Sequence, residues 1–527
     1  MTRGSGACRL RGFLLAVLLL AAALGGGPAR AQQNEAWAAL VLDGRAALEA
    51  GDAETALGLF EQAEDLAQTP DDRIVSLTSL GLAHAALGNL EAAARFQGQS
   101  LDLRETAYPA PSMAVATGLR NLALVRHRQA RLAEAATLLA RARDILEELA
   151  PGGPEQLDIR NDLAAVYVNM GRYEDAVAIY RAILPALRTG RPDAYVAALN
   201  GLAAAEVALG AFEAAESHYR DAMAAVAETM APEHLVMANL KNGLGELYRA
   251  QGRLADAASL YREAIEIRGA ALGADHPGLG SLYNNLGLAL LDLGDLRGAG
   301  EALDRARALT EAAFGPDHPS MATVLANIAD LDEARGDYVA AVEGSLHALR
   351  ILSSQLGMRH PEVEALQVTL ARRLMLAGDV ARAEEMLDEV EAAIVEDRGE
   401  DAADLAPVLS ARGQLERLRG DDRAALVAFE RASAIVAASG GAESLDAAAL
   451  LANRAKIMTT LRREEEAVAL FEQSLAIREA VLGLDSPELV GVLKDYAFAL
   501  RRLKRFDEAE AAEARAASLE NTPAAEP

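Results

Sequence analysis

The position that turns each helical hairpin recurs along this chain every 42 residues. Gly210, Gly252, Gly294, Gly336, Gly378, Gly420, Arg462 and Lys504 stand seven identical steps apart. The series runs backward, less strictly, through Gly171, Ala130, Gly88 and Gly51. Such a period points to a solenoid, in which one small unit buries its apolar face only by stacking on the next. Five residues after the turn every unit carries an alanine, from Ala56 and Ala93 through to Ala467 and Ala509. Seven residues before it stands glycine or alanine in all twelve, as at Gly44, Gly81, Ala123, Gly245, Gly413 and Ala497. One small residue on each helix lets the two axes approach closely. Nine residues past the turn a large apolar side chain often fills the space left, as at Phe60, Tyr180, Tyr219, Tyr261, Leu303, Leu387, Phe429 and Phe471.

Each unit reads as two amphipathic helices. Around Gly252, Leu240, Leu244, Leu247 and Tyr248 share one face at helical spacing, and Leu254, Ala257, Ala258, Tyr261, Ala264 and Ile265 repeat the pattern after the turn. Glycine suits the turn because helices commonly end on a left-handed residue. A chain of 527 residues would ordinarily hold about three or four globular domains, but the continuous period makes one elongated array. Aromatics are 4% of the chain, so small interfaces between neighbouring units must supply the core.

With these columns in place, the chain resembles the tetratricopeptide-repeat family. Leu244-Gly245-x-x-Tyr248 followed by Ala257, Tyr261 and Ala264 is similar to that family's repeat pattern. The ordinary repeat is about 34 residues, and eight more add about one turn to each helix. This longer form resembles kinesin-light-chain repeats. Leu272-Gly273-Ala274-Asp275-His276-Pro277 with Asn284-Asn285-Leu286, and Phe314-Gly315-Pro316-Asp317-His318-Pro319 with Asn327, carry that likeness. It implies an all-α, right-handed superhelical solenoid of about twelve hairpins over residues 32–519, with a disordered tail at 520–527. The heptad coiled coil that precedes the repeats in the motor subunit has no counterpart here, so a motor-adaptor role is not expected.

The start of the chain reads as a leader. Arg3, Arg9 and Arg11 precede an apolar run from Phe13 to Leu24, and Ala29-Arg30-Ala31 supplies an A-x-A end. This is the pattern of a cleavable signal peptide over residues 1–31, cut after Ala31. The run is short of the roughly 20 apolar residues that a spanning helix needs. Export to the periplasm or outside the cell is therefore expected, with no membrane insertion after cleavage. Arginine and alanine abound while lysine occurs only at Lys241, Lys456, Lys494 and Lys504, a bias that points to a bacterial source. The single cysteine, Cys8, leaves with the leader, so the mature chain has no thiol, disulfide or cysteine metal site. Loss of residues 1–31, with four arginines and no acid, moves the net charge from -27 to -31. Such acidity repels phosphate backbones and anionic headgroups, which disfavours nucleic acid as a partner.

In the resembled family the first helix of every hairpin lines the concave groove. Ten residues before the turn, four consecutive units carry Asn161, Asn200, Asn242 and Asn284, and the next column adds Asn121, Asn285, Asn327 and Asn453. An amide offers donor and acceptor together, and so can pair with the backbone of an extended peptide whatever its side chains. The same residues would equally serve to brace neighbouring helices. Arg249, Arg120, His127 and Arg372 on this face would receive carboxylates, while Glu246, Asp292, Asp330 and Glu333 would select basic ligands. The units turning at Gly378 and Gly420 keep their length but lack the asparagines. His276, His318 and His360 lie far apart in sequence, each before a proline. Helix capping, with proline at the first helical position, explains them better than metal ligation. Trp37 is expected in the core of the first hairpin.

No phosphate-binding loop, H-E-x-x-H or G-x-S-x-G occurs, so neither an enzyme nor a cofactor is expected. The sequence points to a scaffold or adaptor that binds a protein or peptide. Its alternatives are a non-catalytic accessory subunit of a separate enzyme, such as a CHAT-type protease, and a structural envelope spacer.

Overall fold

The computed structural model describes residues 28–229 and 234–520, so the basic start and apolar run, and residues 521–527 of the tail, lie outside the described residues. The expected cleavage point after Ala31 falls inside the first helix, which begins at Pro28. Among the described residues the chain is 24 α-helices in consecutive pairs, with one short 3-10 turn at Pro277–Leu279 and no strand.

Two compact units divide at Gly243 and Leu244, within one helix. The first holds the hairpins α1 (Pro28–Glu49) and α2 (Ala53–Leu66), α3 (Pro70–Ala86) and α4 (Leu90–Ala107), α5 (Met113–Arg128) and α6 (Leu132–Leu149), α7 (Pro154–Asn169) and α8 (Tyr173–Arg188), and α9 (Pro192–Ala208) and α10 (Phe212–Thr229). Helix α11 (Leu235–Ala250) contains the division, and α12 (Leu254–Leu272) completes its hairpin. The second unit continues with α13 (Gly280–Asp292) and α14 (Leu296–Phe314), α15 (Pro319–Ala334) and α16 (Tyr338–Leu356), and α17 (Pro361–Leu376) and α18 (Val380–Arg398). It ends with α19 (Leu405–Arg419) and α20 (Asp422–Ala438), α21 (Leu445–Thr460) and α22 (Glu464–Leu482), and α23 (Leu489–Arg502) and α24 (Phe506–Glu520).

Every turn position predicted from the period has left-handed backbone. Nine are glycines, and Ala130, Arg462 and Lys504 adopt the same conformation at φ 57°, 61° and 62°. The residue after each turn donates its N–H back across it, as Arg253 N does to Tyr248 O at 2.8 Å and Asp421 N to Glu416 O at 2.9 Å. This bond satisfies a carbonyl that the end of the first helix would otherwise leave orphaned. Where that residue is aspartate it also caps the second helix; the Asp295 carboxylate accepts from Gly298 N at 2.9 Å. His318 and His360 are N-caps whose imidazoles accept from Ser320 N and Glu362 N, each followed by proline, and His276 does the same before Gly278. The His-Pro pairs are thus helix starts.

The small columns lie at the hairpin interfaces. All twelve alanines five residues past the turn are fully buried. The residue seven before the turn faces the one nine after it: Gly245 lies under Tyr261, Gly287 under Leu303 and Gly413 under Phe429. A larger side chain in either small column would overpack the interface by about 1–3 kcal/mol. Trp37 packs with Ala38, Val41 and Ala63, and its indole N–H donates to Ser76 Oγ at 3.0 Å, so it joins the first hairpin to the second. No helix among the described residues is long and apolar enough to cross a membrane.

Candidate functional site

First helices of successive hairpins touch one another directly within each unit: α5 with α7 and α7 with α9 in the first, α13 with α15, α17 with α19 and α21 with α23 in the second. These first helices carry the asparagine columns at positions nine and ten before the turn.

In the first unit α5 carries Arg120, Asn121 and His127, α7 carries Asn161, Asp162 and Asn169, and α9 carries Asn200. The charged members bridge hairpins. Arg120 Nε donates to Asp162 at 2.5 Å, and its guanidinium also lies 3.8 Å from Asp158. His127 is bonded to Asn169, one repeat on. Burial raises the pKa of Asp162 above the usual carboxylate value, while the hydrogen bond from Arg120 pulls the other way. Asn121 and Asn161 adjoin Arg120 and Asp162 in the chain, and Asn200 lies on the next first helix; all three are half-buried. They make no side-chain hydrogen bond within the described residues, and Asn161 Oδ1 is buried without a partner. Asn242, on α11, is engaged by a neighbour.

In the second unit Asn284, Asn285 and Asn327 are linked to neighbouring hairpins. Asn327 Nδ2 donates to Asn284 Oδ1 at 2.7 Å, and Asn285 Nδ2 to Glu246 at 3.2 Å. Arg249, a predicted receiver of carboxylates, donates to Asp292 at 2.9 Å, and Arg372 lies 3.4 Å from Glu333. Asn284 also borders a cavity of about 340 Å³ with Ser281, Ser320 and Thr323 on its walls.

Family models of the tetratricopeptide repeat match along the chain: the MalT-like TPR region over residues 158–343, one repeat model over 114–189 and 446–519, and another over 73–111. The chain is a tetratricopeptide-repeat protein. No curated protein matches it. Among solved structures, the tetratricopeptide-repeat chain is similar to a kinesin light chain with nearly identical TPR-like repeats from Podosopora anserina. The two are 24% identical, over 41% of this chain and 97% of that one, with a TM-score of 0.35. It is also similar to BtubC (BKLC) from P. vanneervenii, at 23% identity over 46% of this chain and 92% of that one, TM-score 0.37. A Rap protein complexed with competence and sporulation factor is 16% identical over 69% of this chain and 98% of that one, TM-score 0.49.

Two features of this tetratricopeptide-repeat protein escape sequence reasoning. Arg373 is buried to 1% exposure, where its Nη1 donates to Ser345 Oγ and its other nitrogens bond Asp330 and Glu333. Ser345 occupies the column that holds a large apolar group in other repeats, and Arg373 of the next hairpin fills the hole. The serine was the available signal. The second feature is a cavity of about 430 Å³ bounded by α17, α19 and α21, of which α17 and α19 lack the asparagines. Val368 and Ser410 stand ten residues before the turn there, and Thr369 and Ala411 nine before.

Proposed function

We propose that this tetratricopeptide-repeat protein is an adaptor or assembly scaffold that holds an extended segment of a protein or peptide on its first-helix face. Tetratricopeptide folds commonly bind protein or peptide partners and are generally non-catalytic. The observation that carries the reading here is the set of half-buried amides at Asn121, Asn161 and Asn200, one on each of three successive first helices, that bond no other group of the described residues. A half-buried amide with no internal partner is favoured by a ligand that supplies donor and acceptor together, as a peptide main chain does. At about 0.5–1.5 kcal/mol per net hydrogen bond, one bond at each of three amides contributes roughly 1.5–4.5 kcal/mol before ordering costs. That suits a reversible binder. The leader-like start supports a role in the periplasm or outside the cell.

The test is affinity capture from an envelope extract by the parent and by a variant with Asn121, Asn161 and Asn200 all changed to alanine, with circular dichroism confirming its helix. A partner held by the parent and lost by the folded variant supports the reading. Capture of the same set by both would make the amides scaffold and sink it.

A further inference from the structure

We propose that the cavity bounded by α17, α19 and α21 is a subsite of the second unit that receives a lysine or arginine side chain of an extended segment lying on that unit's first-helix face. This rests on the reading that the first-helix face holds an extended chain, and it names the side-chain chemistry that face selects. Three observations converge on it.

The first is shape. The repeat's amides are replaced here by Val368, Ser410 and Ala411, and these shorter or apolar groups leave a cavity of about 430 Å³, which Ala365 and Leu450 help to line. That lies within the range of about 300–1,000 Å³ typical of ligand pockets. The second is charge. Glu364, Asp404 and Asp446 line the cavity against one cation, Arg372, whose guanidinium is already beside Glu333. Arg398 pairs with both Glu364 and Asp404, while Asp446 is exposed and makes no ion pair among the described residues. The third is an unmet bond. Glu364 is 3% exposed, and its Oε1 is buried with no hydrogen-bond partner. A buried carboxylate oxygen left unpaired is costly, and a donor arriving from a ligand relieves that cost.

A long basic side chain meets all three. Its aliphatic stem lies along Ala365, Val368 and Leu450 while its charged head reaches the carboxylates, the division such side chains make wherever an apolar surface has a polar edge. An acidic side chain would be repelled, and a purely apolar one would leave Glu364 and Asp446 unanswered.

The experiment uses the full chain and fluorescein-labelled alanine decapeptides carrying a central lysine, norleucine or glutamate, read by fluorescence polarisation at low and high salt. The lysine peptide is expected to bind about tenfold or more tighter than the norleucine peptide, with the difference shrinking in salt. Asp446→Asn, at an exposed position, narrows it a few-fold; adding Glu364→Gln brings lysine to the norleucine level. Ser410→Leu, which fills the cavity, removes binding of the lysine peptide while circular dichroism shows intact helix. Equal binding of lysine and norleucine, preference for glutamate, undiminished binding by Ser410→Leu, or no binding of any peptide overturns the proposal. Asn161→Ala with Asn200→Ala separates the two readings. Should that pair weaken all peptides while no lysine preference exists, the cavity proposal alone fails. Should the pair be silent while the lysine preference holds, the amide reading fails and the subsite stands.

Discussion

The ring of Phe429 lies over the backbone of Gly413, so close that a Cβ on residue 413 would sit 2.7 Å from its Cζ. Phe429 is fully buried, and its ring has no free end that can swing aside. Gly413→Ala is therefore expected to destabilise the second unit by about 1–3 kcal/mol. Gly491, in α23, has nothing within 4 Å of where its Cβ would be. There the same substitution is expected to gain about 0.5–1 kcal/mol through helix propensity alone. Urea unfolding of the two variants compares them, and a gain at both positions would show that the ring contact imposes no constraint.

Three turns use a residue poorly suited to their backbone. Ala130, Arg462 and Lys504 hold positive φ where the other nine turns have glycine. A left-handed conformation costs a residue with a Cβ about 1–2 kcal/mol, and glycine gives part of this back through its greater freedom when unfolded. Arg462→Gly and Lys504→Gly are each expected to raise stability by roughly 0.5–1 kcal/mol, seen as a higher melting temperature. Gly210→Ala should lower it by a similar amount.

The turns and helix starts were legible because both are local. Gly252 ends its helix left-handed whatever lies beyond it, and His318-Pro319 caps α15 with atoms two residues apart. The alanine column was legible as well, since a residue fully buried in every unit leaves a periodic trace. What periodicity could not show is which side chain from the next hairpin reaches a given position. Asn200 and Asn284 hold the same place in their repeats, yet Asn284 is bonded to Asn327 of the next hairpin while the corresponding residue for Asn200 is Gly243, which has no side chain to offer. A Cβ on Gly243 would sit 2.6 Å from Tyr219 Oη, and Gly201 lies in the same way under the tip of Tyr180. A tyrosine nine past one turn and a glycine nine before the next make a packing pair that the column-by-column reading overlooked.

The divergence between Asn200 and Asn327 gives a functional prediction. Asn327→Ala removes a donor from the buried Asn284 and should cost about 0.5–1.5 kcal/mol of stability. Asn200→Ala breaks no bond within the described residues and should leave thermal unfolding within about 0.5 kcal/mol of the parent, while weakening capture of a bound segment. Calorimetric unfolding beside the capture assay checks both. A destabilised Asn200→Ala with unchanged capture would assign that amide to the scaffold.

Acid should expose the bridge between Arg120 and Asp162. The Asp162 side chain is 15% exposed, and its burial holds the carboxyl pKa above the ordinary value of 3.8 despite the bond from Arg120. The folded state therefore binds this proton more tightly than the unfolded one. Asp162's term in stability is full below about 3.8 and is lost as pH rises through the folded-state value. Asp162→Asn has no such titration. The stability of the parent minus that of the variant is thus expected to fall as pH rises from about 3 to about 7. Urea unfolding across that range measures the slope, which does not depend on how much stability the variant loses by leaving Arg120 with Asp158 alone. A difference that instead grows with pH would mean that attraction to Arg120 outweighs burial, placing the folded pKa of Asp162 below its unfolded one.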